Sequence, residues 1–151
     1  MTRVSSAFRA GLSAEQRCEL LALAESAELC ELADACLAGG APVRVLVGPE
    51  VGCVSTQVRE PVAGHRFLLG DVLACRAEVD LAGERGWAMR LGEDRAAVLA
   101  AALLDAEARG GGPMAERVAA LCQRVADREA ERSNREWAQL APTVVEFEEL
   151  S

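Results

Sequence analysis

The fold turns on one stretch, Leu73-Ala74-Cys75-Arg76-Ala77-Glu78-Val79-Asp80-Leu81-Ala82-Gly83-Glu84-Arg85-Gly86-Trp87-Ala88-Met89-Arg90-Leu91. Leu73, Cys75, Ala77, Val79 and Leu81 alternate with Ala74, Arg76, Glu78 and Asp80, the period of two that belongs to a strand with one face in a core. Gly83 to Gly86 can turn the chain, and Trp87, Met89 and Leu91 alternate again as a return strand. The pattern predicts an antiparallel hairpin, and therefore a sheet built from sequence neighbours. Arg76 sits in mid-strand beside Glu78, where a guanidinium either pairs across the sheet or meets a carboxylate on a partner.

Upstream, Val43, Val45 and Val47 alternate around Arg44 and Leu46, Gly48-Pro49 reads as a turn, and Val51 to Val58 is rich in β-branched residues. Two further strands are expected there. Before them, Ser13-Ala14-Glu15-Gln16 has the form of a capping box, so a helix should begin at this point. Leu20, Leu21 and Leu23 follow, Ser26 can cap again, and Leu29, Leu32, Ala33, Cys36 and Leu37 recur at helical spacing until Gly39-Gly40. This is one bent helix or two short ones.

Downstream, Asp94 can cap a helix running to about Arg109 and ended by Gly110 to Gly112. At roughly 100° per residue from Val98, Leu99 and Leu103 fall near about 100° and 140°, and Leu104 near about 240°. One sheet covers a stripe of roughly 100°, so this helix needs a second apolar surface, from another helix or another subunit. Val98 and Leu104 are candidate partner contacts on that reading. Pro113 opens a last helix striped by Met114, Val118, Leu121, Cys122 and Val125 and closed at Leu140-Ala141-Pro142. Thr143, Val145 and Phe147 then alternate with Val144, Glu146 and Glu148, which suggests a tail strand; Val145 and Phe147 join the candidate contacts, since such a strand can complete a sheet across subunits. The expected class is α+β: a flexible segment 1–12, then one domain over 13–151. Its parts are N-terminal helices, an antiparallel sheet of about five or six strands, two further helices packed on it and a C-terminal strand.

A chain of 151 residues and 16.0 kDa suits one hydrophobic core. Sixteen basic residues, all arginine, against 24 acidic ones give a net charge of -8, which repels nucleic acid and anionic membrane surfaces. The longest apolar run, Ala96 to Leu104, falls far short of the roughly 20 residues that span a bilayer. Met1 to Ser13 lacks the apolar centre of a secretory signal, so a cytoplasmic location is expected. The six cysteines (Cys18, Cys30, Cys36, Cys53, Cys75, Cys122) include no C-x-x-C pair, and they read as small packing residues with no metal site.

No phosphate loop, nucleophile elbow or dinucleotide fingerprint is present. His65, the single histidine, lies in Pro61-Val62-Ala63-Gly64-His65-Arg66, a loop by composition. It is a candidate general acid or base, though no nucleophile stands beside it in sequence. Arg117, Arg124, Arg128 and Arg135 form a ladder along one flank of the last helix. That ladder can grip a polyphosphate, or it can pair with Glu116, Asp127 and Glu131 as a solvated surface.

Several segments read together as a unit: Pro49-Glu50-Val51-Gly52, Gly64-His65-Arg66-Phe67-Leu68-Leu69-Gly70-Asp71, Cys75 to Val79, Gly86 to Gly92, Ala101-Ala102-Leu103-Leu104-Asp105-Ala106 and Thr143 to Phe147. In this order and spacing the chain, from about Ser13 to Phe147, resembles the PhnG family, small subunits of the bacterial carbon-phosphorus lyase core complex. The positions that carry the likeness are Glu50, Gly52, Gly64, Phe67, Gly70, Asp71, Gly86, Gly92 and Asp105. The resemblance implies a subunit that acts with PhnH, PhnI and PhnL proteins to replace the adenine of ATP by an alkylphosphonate. The product is a ribose 1-phosphonate 5-triphosphate, whose carbon-phosphorus bond the radical enzyme PhnJ breaks after pyrophosphate is removed. It also implies direct binding to PhnI, where the displacement chemistry is expected, in an assembly with two copies of each subunit. No cofactor is implied for this chain itself, and no catalytic residue carries over. Two departures stand out: Arg59-Glu60-Pro61-Val62-Ala63-Gly64 where relatives have a glycine-rich stretch after an arginine, and Val144 where an arginine is usual. The residues alone also admit a self-contained nucleotide-dependent transferase using His65, or a free homodimeric binding protein.

Overall fold

The computed structural model describes residues 11–143. Helix α1 spans Ala14–Leu23, α2 Ser26–Ala38, α3 Arg95–Gly110 and α4 Ala115–Leu140, with a short 3-10 turn at Ala141–Thr143. Between α2 and α3 lie strands β1 Val43–Arg59, β2 Arg66–Leu81 and β3 Glu84–Leu91, antiparallel in the order β1-β2-β3. The α+β class is as expected. Thr143, the first residue of the expected tail strand, closes the 3-10 turn instead, and the rest of that strand, with Val145 and Phe147, lies outside the described residues, as does most of segment 1–12; Leu12 packs against the core.

Local chemistry explains the helix starts. The Ser13 hydroxyl accepts from the Gln16 amide and the Gln16 side chain accepts from the Ser13 amide, both at 3.1 Å, so the capping box closes. Asp94 accepts from the Ala97 amide at 3.0 Å and caps α3. Ser26 does not cap α2: its hydroxyl donates to the Asp94 carboxylate at 2.6 Å, tying the starts of α2 and α3 together. The same carboxyl is held below its ordinary range by that bond first and by the Ala97 amide second.

The sheet has three described strands, not five or six. Gly48-Pro49 does not turn the chain; β1 runs through it with register shifts between Val45 and Val47 and between Val47 and Glu50. Gly48, at φ +74°, absorbs the irregularity, because a Cβ there would stand 2.5 Å from the Glu50 amide nitrogen and 2.8 Å from the Arg76 carbonyl oxygen. What looked like two short strands is one long bulged strand. Likewise β2 begins at Arg66, well before the alternation at Leu73 becomes visible.

Helix α3 is the centre of the molecule. One flank lies on β2 and β3, and α1, α2 and α4 cover the rest. Val98, Ala101, Ala102 and Leu104 have no exposed surface. The second apolar surface that the helical wheel demands is therefore supplied by the chain's own helices. Val98 and Leu104 are corrected from partner contacts to core residues, each worth roughly 1.5 to 3 kcal/mol of burial. The alanines of α3 let its neighbours approach closely. At Gly86 a Cβ would overlap the Ala102 carbonyl oxygen and stand 2.5 Å from the Ala106 amide nitrogen, so β3 rests directly on the α3 backbone. Cys36, Cys75 and Cys122 are buried packing residues, and burial pushes the Cys36 and Cys122 thiols up to about 11. Cys53 is exposed, against expectation.

Candidate functional site

Strand β3 ends with Leu91 opposite Ala74. Past that register β1 and β2 continue alone, paired from Cys53 with Leu73 to Arg59 with Arg66, a two-stranded ribbon extending about 20 Å. No residue from 51 to 73 is buried. The ribbon is nevertheless apolar: Leu68 is 62% exposed, Leu69 63% and Val62, at the apex, 93%, with Phe67, Leu73 and Val54 also open. Leu73 shares the helix-side face with Cys75, whereas Val54 and Val72 pair on the opposite face, so both faces carry apolar groups. Leu69 has no opposite number, because the register jumps between Thr56 and Gln57, and Gly70 takes φ +145° at that bulge. An isolated two-stranded hairpin is marginally stable in water, and uncovered apolar surface of this density marks an interaction site.

The turn at the apex is built by one carboxylate. Glu60 accepts from the amides of Val62 at 2.8 Å, Ala63 at 2.6 Å and His65 at 3.2 Å, while its own amide donates to the His65 carbonyl at 3.0 Å. These bonds, led by those from Val62 and His65, hold its carboxyl below the ordinary carboxylate range. Gly64 supplies the left-handed residue the turn needs, at φ +71°. His65 is exposed here, and the only hydrogen bonds described for it are these backbone ones; none involves its ring.

The other residues singled out by sequence fall into structural roles. Arg76 pairs across the sheet with Glu50 at 3.1 Å, not with its neighbour Glu78. Asp71 accepts from the Ser55 hydroxyl at 2.7 Å on the ribbon. Gly52 lies on the exposed stretch of β1 and Gly92, at φ +89°, follows β3. Asp105 is wholly buried: Arg17 of α1 reaches one oxygen at 2.7 Å, Arg109 the other at 2.8 Å, and the Trp87 amide donates to it at 3.1 Å. One carboxylate thus ties α1, α3 and β3 together, and its bond and charge raise the Arg109 guanidinium above its ordinary value. Glu107 is also buried and accepts from the Met114 amide at 2.7 Å, bridging α3 to the start of α4.

The arginine ladder does not assemble as an anion grip. Arg128 and Arg124 donate to Glu28 of α2 at 2.7 and 3.5 Å, Arg117 lies against the Met114 sulfur at 3.6 Å, and Arg135 donates to the Glu131 carbonyl at 3.4 Å. The cavity beside Arg117 and Arg124, about 220 Å³, is also lined by Glu28 and Glu31, whose carboxylates oppose a polyphosphate. None of Glu116, Asp127 and Glu131 offers the ladder its carboxylate among the described residues; Arg124 and Arg128 instead pin α4 to α2. A second surface feature is a shallow apolar groove of about 270 Å³ between α2, α3 and the free edge of β1, lined by Leu37, Val43, Val45, Leu99 and Leu103 among others.

Sequence reasoning placed a strand at Val51 to Val58 but missed its partner from Arg66 to Val72, and with it the ribbon. The signal was Phe67-Leu68-Leu69, a run without alternation placed just after a turn, which leaves bulky apolar groups on both sides of a strand. Among the described residues no cluster of histidine, cysteine and carboxylate groups is arranged to hold a metal ion, and no helix is long and apolar enough to cross a membrane. A family model described as "Phosphonate metabolism protein PhnG" matches residues 14–151, nearly the whole chain. No curated protein matches the sequence.

Proposed function

We propose a role that starts from kinship: the chain belongs to the PhnG family of phosphonate metabolism proteins, and it serves as an assembly subunit of the complex that displaces adenine from ATP with an alkylphosphonate. It binds a PhnI-like chain directly and works with PhnH-like and PhnL-like proteins in the bacterial cytoplasm, two copies of each core subunit to a complex. A PhnJ-like enzyme acts later on the product. The displacement itself takes place on the PhnI-like partner, and ATP and the phosphonate are substrates of the complex, with no cofactor held by this chain.

One observation carries this reading beyond kinship. The chain buries Val98, Ala101, Ala102 and Leu104 of α3 in its own core, yet extends an uncovered apolar ribbon from that core. Such an uncovered apolar element is what a fitted subunit offers a neighbour. The test is co-expression with the PhnI-like chain of the same genome, followed by gel filtration at physiological salt and an adenine-release assay with and without this protein. Co-elution and release that depends on both chains are expected. Separate elution, or full adenine release by the partner alone, would sink the assembly role. Adenine release by this chain alone, abolished by His65→Ala, would favour the self-contained transferase instead.

A further inference from the structure

We propose that the apex of the ribbon is a preformed plug that seats in an apolar pocket rimmed by carboxylates on a partner protein. This rests on the assembly role above and specifies the chemistry of the surface that receives the chain.

Three observations converge on the apex. First, it is built before any contact: three amides donate to the Glu60 carboxylate and the Glu60 amide to the His65 carbonyl, so little conformational freedom remains to be lost on docking. Second, its outermost side chain is apolar. Val62 is the most exposed large hydrophobic residue described, with Phe67 and Leu68 just behind it. Third, Arg59 and Arg66 sit directly opposite each other at the neck of the turn. Like charges so placed repel, and neither has an ion-pair partner among the described residues; Arg85, Arg90, Arg95, Arg117 and Arg135 also lack one, but only Arg59 and Arg66 are paired with each other in a strand ladder. The carboxylates nearest in sequence hydrogen-bond to other groups, Glu60 to backbone amides and Asp71 to Ser55.

In a chain of net charge -8, two facing guanidiniums against the one Glu60 carboxylate leave the apolar finger net positive, a local reversal of sign. Carboxylates on a partner would neutralise the pair and steer the apex into place, while an apolar pocket would take Val62. A polyphosphate would satisfy the arginines and leave the finger in water, so a protein surface fits the whole apex better.

The experiment places a benzoylphenylalanine photo-crosslinker at position 62 of the full-length chain, co-expressed with the PhnI-like chain of the same genome. Irradiation is expected to give an adduct in a partner peptide where aspartate or glutamate flanks apolar residues. Arg59→Glu with Arg66→Glu should lower its yield about tenfold, while the thermal midpoint of the isolated variant stays at the wild-type value. An adduct of that chemistry on a protein other than the PhnI-like chain keeps the plug and removes PhnI as its receiver. Co-elution without an adduct, or an adduct indifferent to the charge reversal, overturns the plug and leaves the assembly role standing. Tripolyphosphate binding to the isolated chain that needs Arg59 and Arg66, with no protein adduct, overturns it too.

Discussion

The same two strands, β1 and β2, live in two different environments. From Ala74 to Leu81, β2 has β3 on one side, β1 on the other and α3 across its face, and Cys75, Ala77, Val79 and Leu81 are buried. From Arg66 to Leu73 it keeps the β1 ladder and loses both β3 and the helix, and nothing is buried. Hydrogen-bonded pairing continues unchanged across the boundary, so pairing does not make a core; a second layer does. The stability of this chain should therefore reside in the proximal half, and the distal half should be free to serve another molecule. Substitutions ought to divide along that boundary.

The largest effect is expected at the proximal knot. Asp105→Asn keeps an acceptor for the Trp87 amide but removes the charge between Arg17 and Arg109, and the Arg17 side chain is only 12% exposed. Leaving that guanidinium unpaired should cost about 3 to 5 kcal/mol, read as a lower urea midpoint with an unchanged slope. Gly86→Ala comes next. The new methyl meets the α3 backbone at Ala102 and Ala106, which cannot rotate away, so β3 must shift and about 2 to 3 kcal/mol should be lost. A wild-type midpoint for either variant would mean that the contact between β3 and α3 does not hold the core.

How much of this was legible beforehand follows the same boundary. Wherever one face is buried, the sequence alternates and its reading succeeded: the Leu73 to Leu81 strand, the return through Trp87, and the Asp94 cap with its α3 wheel. Of the ribbon only the Val51 to Val58 half was legible, through its β-branched residues; the Arg66 to Val72 half was not, because period-two patterning is the imprint of a one-sided core and this stretch has none. The tie of Asp105 to Arg17 joins residues far apart in sequence, and Asp105 alone looks like the polar end of an apolar run. The wheel asked correctly for a second apolar surface at Val98 and Leu104. It had no means of saying that α1, α2 and α4 provide it, since a helix covered by its own chain and one covered by a partner share one pattern.

On the distal side the expected effect moves from stability to association. Leu68→Ser with Leu69→Ser removes two side chains that are more than 60% exposed, so the isolated chain should keep its stability within about 0.5 kcal/mol. Binding to the PhnI-like partner should weaken at least about tenfold, measured by titration calorimetry. A large loss of stability in the isolated chain would show that the ribbon folds back on the core in solution, and the contrast between the two halves would disappear.

The smallest effect concerns pH, and it separates the halves by locality. The Glu60 carboxyl is held below its ordinary value of 4.5 by the amides of Val62, His65 and Ala63. A group whose folded pKa is depressed contributes in full above the unfolded value and loses that contribution as pH falls through the folded one. The apex should thus be unchanged as pH falls from 7 to that ordinary value and loosen only as it falls further. Hydrogen exchange at the amides of Val62, Ala63 and His65, corrected for intrinsic rate, should accelerate in that window while amides of Leu103 and Leu104 stay protected. Asp94 is depressed as well, but it caps α3 and binds Ser26, so its protonation draws on the proximal core and should appear as a change in global stability. Glu60→Gln should erase the local pH response and leave the global one. If the apex amides already exchange at unprotected rates at pH 6, the turn is not organised by Glu60, and the ribbon is a loose hairpin with no fixed shape to offer a partner.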